Sequence, residues 1–72
     1  MNKTNLAKLR ERADLSVSEL AERSGLDGSF IRRLEAGQRR GSSDAVRQLA
    51  DALAAALNRG VGGVLKELTD PE

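Results

Sequence analysis

VSELAERSGLDGSFIRRLE, residues 17–35, decides the fold. Val17, Leu20 and Ala21 recur on one helical face, and Phe30, Ile31 and Leu34 do the same further on. Ser24-Gly25-Leu26 separates the two runs. A turn this tight calls for positive φ, which Gly25 supplies without steric cost. Ser16-Val17-Ser18-Glu19 reads as a capping box, the Ser16 hydroxyl on the Glu19 amide and the Glu19 carboxylate reaching back. The helix it opens is expected to run to about Arg23. Asp27 is placed to cap the next helix and Gly37 to close it in the left-handed conformation. On that helix Phe30, Ile31 and Leu34 face inward, and Phe30 is expected in the core. Ser29, Arg32, Arg33 and Ala36 face outward.

On either side of this stretch the same spacing predicts three more helices and no strand. The first runs from about Thr4 to Ala13 on a stripe of Leu6, Leu9 and Ala13, and turns at Asp14-Leu15. Gln38-Arg39-Arg40-Gly41 forms a basic loop. Ser42 or Ser43 then caps a helix running to about Asn58, with Val46, Leu49, Ala50, Leu53 and Leu57 as its stripe, broken by Arg59-Gly60. Val61, Val64, Leu65 and Leu68 repeat at helical spacing over 61–69, although Gly62 and Gly63 weaken that start by roughly 1 kcal/mol each. Order is expected to end at Thr69-Asp70-Pro71. The 72 residues therefore read as a single all-α domain of five short helices.

Composition narrows the function. A chain this short buries only about 60% of its unfolded surface, which favours self-association. There is no Cys and no His, so Cys/His zinc sites, disulfides and Ser-His or Cys-His catalysis are excluded. No paired acidic cluster and no phosphate-cradling glycine loop stands out, and the chain is read as neither an enzyme nor a metal or cofactor binder. No apolar run reaches the ~20 residues of a membrane span, and residues 1–12 lack a signal core, so a cytoplasmic protein is expected. Phe30 is the lone aromatic residue, which argues against stacking single-stranded nucleic acid.

The net charge of +1 is less telling than its distribution. From Gly28 to Ser43 there are four arginines, Arg32, Arg33, Arg39 and Arg40, against the one acid Glu35. From Gly60 onward Lys66 stands against Glu67, Asp70 and Glu72. A basic middle and an acidic tail point to a polyanionic partner for the middle.

Two short helices joined by a glycine turn, with Ala21 small enough for a close crossing, have the sequence shape of a helix-turn-helix over 17–35. From Leu6 to Leu53 the chain resembles the Cro/C1-type helix-turn-helix family of phage repressors and small bacterial transcriptional regulators. LAKLRERADLS resembles that family's first helix and turn, SVSELAERSGL its second, SFIRRLEAGQRR its recognition helix and following loop, and VRQLADAL its fourth helix. The resemblance implies a lambda-repressor-like fold and sequence-specific binding of double-stranded DNA in the major groove. It also implies a homodimer and repression of transcription.

The same resemblance places base reading on Gly28, Ser29, Arg32 and Arg33. Arginine can pair bidentately with guanine, which puts Arg33 first; Gly28 has no side chain to read with and would admit a close backbone. Phosphate contacts fall on Ser16, Val17 and Ser18, at a helix start with free amides, and on Gln38, Arg39, Arg40 and Arg10. Arg10 and Glu35 occupy the positions of a pair that braces the recognition helix. Three departures stand out. Val17 replaces a frequent Gln. Gly41 replaces a frequent Pro, implying a looser loop. The fourth helix is longer and a glycine-rich stretch follows, where the family's dimer contact often lies, so helix 61–69 is the candidate dimer contact.

Plainer readings stand beside these. Arg32 and Arg33 could be a solvated face, Arg39 and Arg40 a solubilising loop, and Arg10 with Glu35 a purely structural pair. Phe30, if outside the core, could touch a thymine methyl. The alternative function is a protein-binding module on the same fold, such as an antitoxin-like partner of another protein.

Overall fold

Five helices follow one another in the computed structural model, which describes residues 3–69. They are α1 (Asn5–Arg12), α2 (Val17–Ser24), α3 (Gly28–Glu35), α4 (Ser43–Leu57) and α5 (Val61–Thr69). No strand occurs among the described residues. The expected stop at Asp70-Pro71 lies outside them.

Each of the first four helices starts on a capping side chain. Thr4 accepts from the Ala7 amide, Ser16 from Glu19, Asp27 from Phe30 and Ser42 from Ala45. The capping box at Ser16 is complete: the Ser16 amide donates to Glu19 Oε1 at 2.9 Å, and the Glu19 amide to Ser16 Oγ at 3.0 Å. That backbone bond, aided by the Ser16 hydroxyl, holds the Glu19 carboxyl below the ordinary carboxylate range. A depressed folded-state pKa means the box contributes fully above the ordinary range and fades as pH falls through the lowered value.

The same four helices end on residues with positive φ: Asp14 (59°), Gly25 (74°), Gly37 (73°) and Asn58 (54°). At the end of α3 the Gln38 amide donates to Arg33 O at 3.0 Å and the Gly37 amide to Leu34 O at 3.1 Å, the paired bonds of a Schellman motif. Asp14-Leu15 and Asn58-Arg59 repeat that arrangement. Asn58 itself, not Arg59-Gly60, therefore breaks α4. Asn and Asp tolerate the left-handed region because their short polar side chains bond locally.

The core is aliphatic and drawn from every helix. Leu20, Ile31, Leu49, Leu53 and Val64 are fully buried, and Leu9 is nearly so. Burial of one such side chain is worth about 1.5–3 kcal/mol. α4 is the central element, packing on α1, α2 and α5, while α2 packs on α3 and α1 reaches α3 and α5. Leu15, expected only as a turn residue, is buried. Phe30 departs from expectation: it is half-buried and stands outside the apolar cluster that Ile31 forms with its neighbours. It sits at the edge of the apolar arc, one helical step from Ile31, so the core closes without it.

α1 is clamped at its start. Thr4 Oγ1 donates to Glu35 O at 3.0 Å, and Asn5 Nδ2 to Glu67 O at 2.8 Å. The start of α1 thus holds the end of α3 and the last turn of α5. Val64 anchors α5 in the core, while Val61, Leu65 and Leu68 pack half-buried against it.

Candidate nucleic-acid interface

α2 and α3 meet at small residues. A Cβ built on Gly28 would lie 3.9 Å from both Ala21 Cβ and Val17 Cγ1. The start of α2 (Ser16, Val17, Ser18) therefore abuts the start of α3 (Gly28, Ser29). The Val17 side chain turns half-buried toward the core, leaving its backbone amide, not its side chain, to the outside. The first intrahelical donor is the Leu20 amide, to Ser16 O, and the Glu19 amide is taken by the cap. The amides of Val17 and Ser18 remain for an outside acceptor.

Ser29, Arg32 and Arg33 are exposed on α3, and Gln38, Arg39 and Arg40 are exposed on the loop after it. Among the described residues the ion pairs are Lys3–Glu11, Arg10–Glu35 and Arg59–Glu67; none of these four arginines joins one. The Schellman turn folds the loop back along α3. The Arg39 guanidinium then lies over the Phe30 ring, 5.2 Å from its centroid. That partnership escapes helix periodicity, which only places Phe30 between the apolar and exposed faces.

Arg10 is half-buried behind this surface. Its Nε donates to Glu35 Oε2 at 2.6 Å, its Nη2 to Glu35 Oε1 at 3.1 Å and its Nη1 to Leu15 O at 2.8 Å. Its hydrogen bonds to Glu35 raise the guanidinium pKa further, against the cost of burial. Three of its five N–H groups are spent inside the fold. With Thr4 on the Glu35 carbonyl, the end of α3 is held through both side chain and backbone. Thr4 is a member of this brace that local pattern does not reveal, because its partner lies 31 residues away.

Gly41, at the loop's end, is half-buried. A Cβ there would come within 3.3 Å of Val46 Cγ2 and 3.6 Å of Leu34 Cδ2, so the loop lies close on α3 and α4. Beside it opens a groove of about 490 Å³ floored by Leu6, Leu34, Val46, Leu49 and Leu68. A second, of about 690 Å³, continues past Val46 to Leu65 and Lys66. No helix among the described residues is long and apolar enough to cross a membrane.

This arrangement has relatives. The chain is 43% identical over 44 residues to two uncharacterized HTH-type transcriptional regulators of Mycobacterium tuberculosis, from strains CDC 1551 / Oshkosh and ATCC 25618 / H37Rv. The match takes in 61% of this chain and 31% of each relative, so the chain spans about a third of their length. The family model of the helix-turn-helix domain matches residues 4–59, from the Thr4 cap to just past the end of α4. With five helices and α2 set against α3 through Ala21 and Gly28, the chain belongs to the helix-turn-helix domain family.

Proposed function

We propose that this chain is a single-domain, sequence-specific regulator of the Cro/C1 type that binds the major groove of double-stranded DNA in the cytoplasm. The observation that carries the reading is one continuous exposed surface. The start of α2 meets that of α3, which carries Ser29, Arg32 and Arg33 outward, Arg39 of the following loop returns onto Phe30 of the same helix, and no acidic side chain pairs with those arginines among the described residues. The two mycobacterial relatives are named as uncharacterized transcriptional regulators.

In this reading Arg33 reads a guanine edge, with Ser29 and Arg32 beside it. The Val17 and Ser18 amides, Gln38, Arg39 and Arg40 hold phosphates, positioning without specifying. Arg10 acts chiefly as the brace of α3. The chain represses by occupying a promoter, as a homodimer joined near α5, whose half-buried Leu65 and Leu68 border the groove.

The test is a fluorescence anisotropy titration at ~150 mM salt, comparing DNA upstream of the chain's own gene with a scrambled duplex. Specific binding tighter by about 10³-fold or more supports the reading. Arg33→Ala should then cost about 1–3 kcal/mol and relax preference at one base pair. Equal loss on all sequences would make Arg33 a phosphate contact. A monomer by sedimentation, both free and on DNA, sinks the homodimer. Absence of binding to either duplex at low salt moves the reading to a protein-binding module. The apolar groove beside α4 and α5, rimmed by Arg39, Arg40, Asp44, Arg47 and Lys66, favours that alternative.

Gly28 offers a sharper check. Its φ is not positive, and a Cβ would make only ordinary contacts, so nothing inside the fold demands glycine. Gly28→Ala is expected to raise stability by up to about 1 kcal/mol while weakening DNA binding. A melt and a titration that both improve would show that nothing approaches this backbone.

A further inference from the structure

Phe30 is the chain's one aromatic residue, and neither the core nor a hydrogen bond accounts for it. It is half-buried beside, not within, the apolar cluster. It stands on α3 next to Ser29 and one turn before Arg33. Its ring carries the Arg39 guanidinium at 5.2 Å. Arg39 is otherwise exposed and makes no hydrogen bond or ion pair among the described residues. The Gly37 and Gln38 amides, bonded back to Leu34 and Arg33, aim the loop so that Arg39 returns over α3.

A guanidinium lying on an aromatic face keeps its N–H edges free, because the attraction is to the ring's quadrupole and not to an acceptor. The long side chain loses its freedom in the free protein, so less remains to be lost on binding. Arg40, one residue on, has no such support among the described residues.

We propose that Phe30 is a positioning residue for Arg39, its ring holding the loop arginine against α3 as a preset fork for a DNA phosphate. The proposal rests on the DNA-binding reading above. It separates Arg39, a fixed contact tied to the recognition helix, from Arg40, a freely ranging charge. It also replaces direct contact of Phe30 with a thymine methyl.

A double-mutant cycle with Phe30→Leu and Arg39→Ala tests it on the duplex that wild-type protein binds best. Phe30→Leu should weaken binding about two- to fivefold, the range of an exposed cation–π contact, and should add nothing in the Arg39→Ala background. Phe30→Leu should leave the salt slope intact because the charge remains, whereas Arg39→Ala should flatten it by about one unit per bound protomer. Phe30→Tyr, which keeps the ring face, should restore binding. Thermal melts should barely move, since the ring lies outside the core.

In free protein, NMR should show the Arg39 Cδ protons shifted upfield by the ring, and that shift should vanish in Phe30→Leu. Equal losses from Phe30→Leu in both backgrounds would overturn the proposal in favour of direct DNA contact by Phe30. No loss in either background would overturn it as well. Wild-type protein that binds DNA but shows no ring-current shift at Arg39 would overturn the stack alone. Wild-type protein that binds no duplex would overturn the DNA-binding reading, and the positioning role with it, even where the shift is present.

Discussion

Glu35→Ala should cost the domain about 3 kcal/mol, more than its surface position at the end of α3 suggests. The Arg10 and Glu35 side chains are only 17% and 12% exposed, and their 2.6 Å contact is one of two parallel bonds. Removing the carboxylate strands the guanidinium where water reaches it poorly, with Leu15 O as its remaining partner. A domain of this size has roughly 4–10 kcal/mol in total, so Tm should fall by roughly 12–24 °C. The control is Arg10→Met with Glu35→Leu, which removes both charges and should stay within about 1 kcal/mol of wild type. If the double variant is as unstable as Glu35→Ala, the loss is one of packing. A cost below about 1 kcal/mol for Glu35→Ala would show that the pair behaves as an exposed one.

Raising salt from about 50 to about 200 mM should weaken DNA binding by about a hundredfold. Arg39 and Arg40 are exposed and free of ion pairs among the described residues, and in the proposed complex each protomer would bring these two charges to the phosphates. The proposed dimer would neutralise about four, for a log–log slope near −3.6. The effect grows with charge count and not with sequence, so specific and scrambled duplexes should show similar slopes. A slope near zero would remove phosphate contact from this loop altogether. Together with Glu35→Ala, the salt series separates two proposed duties of the α3 end: a brace behind it that holds shape, and a loop beyond it that would bring charge.

Those duties differ in how far the sequence discloses them. Caps are local, so Ser16 with Glu19, Asp27 and Gly37 can be read from neighbours three or four residues away. The five-helix order follows from the same short-range spacing. Asn58 is less visible because glycine is the usual left-handed residue, and Gly60 stands nearby as a decoy. Phe30 is misread because an apolar residue one step from Ile31 satisfies a helical stripe; only the returning loop shows that Arg39 uses the ring. The meeting of Val17 with Gly28 and the grip of Thr4 on Glu35 depend on tertiary closure, which no window of neighbouring residues contains. The exposed members of the candidate interface are thus legible as a register on α3, while what supports them is not.

The clamp at the start of α1 bears on the order of events at birth. Thr4 and Asn5 emerge early in synthesis, yet their partners follow 31 and 62 residues later. The start of α1 is therefore clamped in two steps, to α3 first and to α5 later. While α5 is still unmade, α1 has neither the Glu67 carbonyl nor its packing on α5. Completion of the clamp should therefore await α5, whereas the grip of Thr4 and Arg10 on Glu35 can close as soon as α3 is made.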